Sequence, residues 1–100
     1  FHESFCQDLR ADEALVMAVA QKAPLASTFG DKVTAPAWKK KPCWYQVSSE
    51  DRMIHPDNQK HMSGRMNARK VLTLAASHAS LSSKSVEVSG LIDEGVRSLA

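Results

Sequence analysis

Cysteine is scarce in this chain, long apolar runs are missing, and neither sign of charge dominates. The two cysteines, Cys6 and Cys43, stand thirty-seven residues apart without a C-x-x-C motif, so a disulfide framework is excluded. Free thiols in a reducing compartment are the plainer expectation, which favours the cytoplasm. No stretch approaches the roughly 20 apolar residues of a membrane span, so no membrane partner is expected. Thirteen Lys and Arg against eleven Asp and Glu leave a net charge of +2, too little to imply nucleic acid as a partner. There is no internal repeat and no low-complexity tract. No targeting segment can be recognised either, and an opening such as FHESFCQDL is of the kind found inside longer proteins, so the chain is treated as a possible fragment.

What is present suffices for one small domain with a modest core. The apolar share, 43%, is that of an ordered globular chain. Residues 8–22, DLRADEALVMAVAQK, predict a helix capped by Asp8, with an apolar run from Ala14 to Ala20 that should be covered on both sides. Pro24 can open a short helical piece, PLASTF, closed by Gly30 and Asp31. Residues 31–42 read as a connector, because two prolines and three consecutive lysines suit neither a helix nor a central strand. CWYQVS (43–48) predicts a buried strand, SSEDRMIH a loop, and Pro56 the start of a helix running to about Met66. RKVLTLAA (69–76) predicts a second strand. The final helix should bury Val88, Leu91, Ile92, Val96 and Leu99 along one face. The fold class is therefore α/β, with a strand–helix–strand–helix unit of a parallel sheet preceded by further helices.

In parallel sheets the chemistry sits in loops at the carboxyl ends of the strands. Asp51 and His78 each follow a predicted strand. A histidine can take a proton from a hydroxyl near neutrality, and a carboxylate on its other nitrogen would fix its tautomer. Spacing alone leaves a second reading open, a solvated loop aspartate and a histidine capping the segment after it.

From about Val33 onward, through TAPAWKKKPCWYQVSSEDRMIHPDNQKHM and then AASHASLSSKSVEV, the chain resembles the C-terminal end of α/β-hydrolase-fold enzymes, in the group of small esterases and cofactor-free haloperoxidase-like hydrolases. That resemblance implies a catalytic triad in the chain order Ser…Asp…His, with Asp51 in SEDRMI matching the acid and His78 in SHASLS the histidine. It implies that residues 1–30 are the end of cap or lid helices and that residues 31–100 belong to the hydrolase core. Phe5, Met17 and Trp38 could then line an acyl pocket below the cap, with an ordinary core role as the plainer alternative. The chain departs from the family pattern at His55, where a proline is usual. It departs again at Asn58, His61 and Gly64 within the third helix, and in LSSKSV, where a proline is commonly found.

The family carries its serine on a G-x-S-x-G elbow. The glycines here are Gly30, Gly64, Gly90 and Gly95, no two of them four residues apart, and none of the twelve serines stands in such an elbow. The acid and base are expected without their nucleophile. Lys39, Lys40 and Lys41 beside Trp38, Trp44 and Tyr45 read as a solvated run before a buried strand rather than a stacking surface for single strands. Asp51, His55, His61 and His78 lack the spacing of zinc sites. Met17, Met62 and Met66 read as core filler, Cys43 as a small buried residue, and Cys6 lacks a base.

The expectation is thus the C-terminal portion of a serine hydrolase acting on a small-molecule ester or amide, without metal or organic cofactor. The alternative is a non-catalytic α/β module that binds a protein partner through an open sheet edge.

Overall fold

Two five-residue runs rich in aromatic and β-branched residues form the sheet, and the helices are arranged around it. The computed structural model describes residues 1–100. In chain order the elements are α1 (His2–Phe5), α2 (Ala11–Ala20), β1 (Trp44–Ser48), α3 (Pro56–Arg65), β2 (Lys70–Leu74), α4 (Ser80–Ser83) and α5 (Ser85–Arg97). Single 3₁₀ turns at Ala26–Phe29 and Ala37–Lys39 interrupt the long connector between α2 and β1. The protein is thus mixed α/β, five helices on a two-stranded sheet.

β1 and β2 are parallel, with Trp44 opposite Lys70 and Ser48 opposite Leu74. The ladder continues past both ends. Arg69 N donates to Cys43 O at 2.7 Å, and Ser49 N and Glu50 N donate to Leu74 O and Ala76 O at 2.8 and 3.1 Å. Alternation sends Trp44, Gln46 and Ser48 to one face of the sheet and Tyr45 and Val47 to the other. On the first face, α5 lies so close that a Cβ on Gly95 would stand 3.4 Å from the Trp44 ring, and Ser80 Oγ donates to Gln46 Oε1 at 2.6 Å. On the second, α3 packs on β1 and Met62 lines a cavity with Tyr45.

α3 forms despite its polar sequence, PDNQKHMSGR. Pro56 stands at the first helical position, and the ring of His55 accepts from Asp57 N as the cap. Its buried face is Gln59 and Ser63, both polar, while Asn58 and His61 face solvent and Gly64 has open space around it. Asn67 then takes a left-handed conformation (φ 50°), which its short side chain tolerates, and turns the chain into β2.

Several expectations need correction. The first long helix starts at Ala11, not Asp8, and Glu13 rather than Asp8 satisfies its first turn by accepting from Arg10 N. Asp8 instead accepts from Ser77 N, sixty-nine residues away, a bond that no local pattern predicts. Ala14 is the only buried residue of α2, whereas Leu15, Val16 and Val19 are exposed. On α5, Val88 and Leu91 are buried as expected, but Ile92, Val96 and Leu99 are 60% or more exposed. Fourteen of the hundred residues are buried, so the elements carry more apolar surface than the chain can cover by itself.

Two measurements follow. The outer edge of β1 has no strand partner, and an uncovered edge beside exposed apolar residues is a template for pairing. Sedimentation of the chain should show a mass that grows with concentration; a concentration-independent monomer with slow amide exchange along β1 would contradict this. The two glycines of α5 should also part company in thermal unfolding. Gly90 meets nothing within 4 Å, so Gly90→Ala should stabilise by about 0.5–1 kcal/mol. Gly95→Leu must push α5 off Trp44 and should cost about 1–3 kcal/mol.

Candidate active site

Parallel pairing brings the loops after β1 and β2 to the same edge of the sheet, and each loop supplies one titratable side chain. Asp51 Oδ2 lies 2.9 Å from His78 Nδ1. The aspartate is 8% exposed, and its carboxylate is fully engaged. Oδ1 accepts from Met53 N (2.8 Å) and Ile54 N (3.0 Å), while Oδ2 accepts from Gln59 Nε2 (2.8 Å) as well as facing the imidazole. Burial alone would raise its pKa, but the Ile54 amide, the imidazole and the Met53 amide more than offset that, and the group is held below the usual carboxylate range.

An ionised carboxylate only accepts hydrogen bonds, so Nδ1 must be the donor and the neutral ring carries its proton there. Nε2 is then the basic nitrogen. It bonds to no group of the chain and is not buried from solvent. The imidazole thus presents an oriented, unengaged base at the sheet edge.

Residues 1–9 bridge the two loops. Arg52 donates to Glu3 O and Gln7 Nε2 donates to Glu50 O, each at 2.6 Å, on the acid side. Ser77 N donates to Asp8 Oδ2 at 2.9 Å on the histidine side. Burial pushes the Asp8 carboxyl up, but bonding to Ser77 outweighs it and lowers the pKa. The Phe5 ring meets His78 edge-on, with centroids 4.7 Å apart, and Phe1 stacks on Phe5 at 4.8 Å.

The other residues singled out in the sequence scatter. Met17 and Phe5 pack against a small cluster of Cys6, Ala14 and Ala79, next to the histidine. Trp38 does not join them; it shares a cavity with Tyr45, Met62, Arg65 and Met66 near the start of β1. Its ring is approached by Lys39 and Arg65 (5.5 and 5.1 Å), and Arg69 lies 5.7 Å from the Trp44 ring. Cys6 is fully buried in the cluster and Cys43 partly buried, and neither thiol bonds to His78. Asp51, His55, His61 and His78 do not gather: no three His, Cys, Asp or Glu side chains come together as metal ligands. Three serines of the two loops bond to other groups: Ser77 Oγ accepts from Ala79 N, Ser80 Oγ donates to Gln46 Oε1, and Ser49 Oγ donates to Leu74 O. Gln59, Gln7 and Asp8 were missed as members of the site. No signal in the sequence marks them; they join the site through contacts in space, 8, 43 and 69 residues apart along the chain.

Comparison with protein-family models, curated proteins and solved structures finds no match to this chain.

The lowered pKa of Asp51 makes stability depend on acid. A carboxylate depressed in the fold contributes fully above its unfolded value of about 3.9, and the contribution is lost as pH falls through the folded value. The urea midpoint should therefore hold from neutrality to about pH 5 and drop below about pH 4. Asp51→Asn sets an amide donor against the donors of Gln59 and His78, so it should cost about 1–3 kcal/mol at neutral pH and make the acid fall shallower. An unchanged midpoint at neutral pH would refute the bonding described.

Proposed function

We propose that the chain is the acid-and-base portion of an α/β-hydrolase-fold serine hydrolase acting on a small-molecule ester or amide. The observation that carries this reading is the 2.9 Å contact between Asp51 Oδ2 and His78 Nδ1 with Nε2 left unengaged, at the carboxyl edge of parallel strands. The chain order of acid then histidine agrees with it.

The chemistry would run as follows. A serine outside this chain attacks the acyl carbon while His78 Nε2 removes its proton, and the imidazolium then delivers that proton to the leaving group. Asp51 stays ionised, holds the ring with Nδ1 as donor, and stabilises the imidazolium. Water attacks the acyl-enzyme in the second half, with His78 again as base. Phe5 and Phe1 form an aromatic wall beside the imidazole and would exclude water on that side.

The hundred residues by themselves should cleave nitrophenyl acetate no faster than imidazole in solution. Turnover well above that, abolished by His78→Ala, would overturn the absence of a nucleophile from this chain. In a protein that joins this chain to a G-x-S-x-G elbow, His78→Ala should lower kcat by about 10³-fold or more, and Asp51→Asn by a comparable factor. Equal rates in either variant would refute the role given to that residue.

A further inference from the structure

We infer that Gln59 is a positioning residue that sets the orientation of Asp51, and through it the tautomer of His78; the inference rests on Asp51 and His78 acting as a pair. Gln59 lies in α3, just past its first turn, and is 5% exposed. A buried primary amide has two N–H donors and one carbonyl to satisfy, and this one satisfies them all. Nε2 donates to Asp51 Oδ2 and to Ile54 O, each at 2.8 Å, and Oε1 accepts from Ser48 N at 2.9 Å.

That set of partners fixes which end of the amide is which. Turned over, the carbonyl would face a carboxylate and a carbonyl, and the NH₂ would face an N–H. The side chain therefore presents a donor, and never an acceptor, to Asp51. It does so while bonded to the last residue of β1 and to the loop that holds the acid, so α3, the strand and the loop meet in one group.

The consequence reaches His78. The bonds from Met53 N and Ile54 N fix the carboxylate within its own turn, and Gln59, bonded to Oδ2, Ile54 O and Ser48 N, fixes that turn against the end of β1. Oδ2 then has one direction left for a donor, and His78 Nδ1 occupies it. Without Gln59 the carboxylate keeps its place within the 51–54 turn, but that turn loses its side-chain tie to β1 and α3, so Oδ2 can draw away from His78 Nδ1 and the bias of the ring toward Nδ1–H weakens.

Nitrogen NMR of the imidazole in this chain, above the titration range of histidine, reads the tautomer directly. The unaltered chain should hold the Nδ1–H form. Gln59→Met keeps the volume but removes all three bonds, and it should lower the Nδ1–H share measurably in favour of Nε2–H. Ser63→Ala, on the same buried face of α3 with its hydroxyl bonded to Lys60 O, is the control for loosened packing and should leave the tautomer alone. If the Met variant fails to fold, the unaltered chain still decides. The Gln59 side-chain amide protons should be slow to exchange and should shift as Asp51 titrates; exchange at the rate of free amide would overturn the inference. An Nε2–H ring in the unaltered chain would overturn the pairing itself and this inference with it. An Nδ1–H ring that Gln59→Met does not change would overturn the role of Gln59 and leave the pair standing.

Discussion

Five facing backbone positions, from Trp44 opposite Lys70 to Ser48 opposite Leu74, hold the two strands side by side and pointing the same way. Everything at the candidate site depends on that direction. Parallel strands need a long crossover, here α3 with its flanking turns, and in return both strands release their chains at one edge. An antiparallel hairpin would have sent Asp51 and His78 to opposite ends. A two-stranded sheet is weak by itself. This one is stiffened from both faces, by α5 against Trp44 and by α3 through Gln59, and past the last rungs by the bonds of Ser49 to Leu74 and of Glu50 to Ala76.

The site shows a division of labour between burial and exposure. Asp51 is buried and saturated with donors, which keeps it ionised despite the loss of water. His78 is half-buried: one nitrogen faces inward to the acid, the other is left free. Phe5 stands T-shaped against the ring without offering it a hydrogen bond, so the carboxylate meets no competitor for Nδ1 from that side. None of this needs an unusual backbone; the single left-handed non-glycine residue, Asn67, lies in the turn before β2.

Much of this was legible in the residues, and the failures have physical reasons. CWYQVS and RKVLTLAA announce strands because β-branched and aromatic residues cluster between polar loops, and Asp51 and His78 stand out because each follows one. α3 was legible from Pro56, although its buried face is polar and has no apolar period to find. That is why Gln59 stayed hidden: a glutamine on a polar helix looks like any solvated residue until a carboxylate is seen beside it. Asp8 was read as a helix cap because capping is local, whereas its actual bond spans nearly the whole chain. The apolar run of α2 and the apolar period of α5 suggest burial, but apolar character alone does not say whether a neighbour exists, and Leu15, Val16, Ile92 and Val96 stand exposed. Trp38 was grouped with Phe5 and Met17 on chemistry alone, and the connector carries it to the start of β1 instead.

The bridge formed by residues 1–9 has a further property. Two of its links to the loops join a side chain to a main-chain carbonyl: Arg52 to Glu3 O and Gln7 to Glu50 O. Those two carbonyls are peptide atoms, which every residue possesses, whereas Asp8 is bonded by both the amide and the hydroxyl of Ser77. Glu3 and Glu50 are therefore free, as far as the bridge is concerned, to drift in sequence, while Arg52, Gln7, Asp8 and Ser77 are not. Mutational tolerance around the site should be lopsided for this reason, strict on one side of the Arg52 and Gln7 links and permissive on the other, and strict on both sides of the link between Asp8 and Ser77.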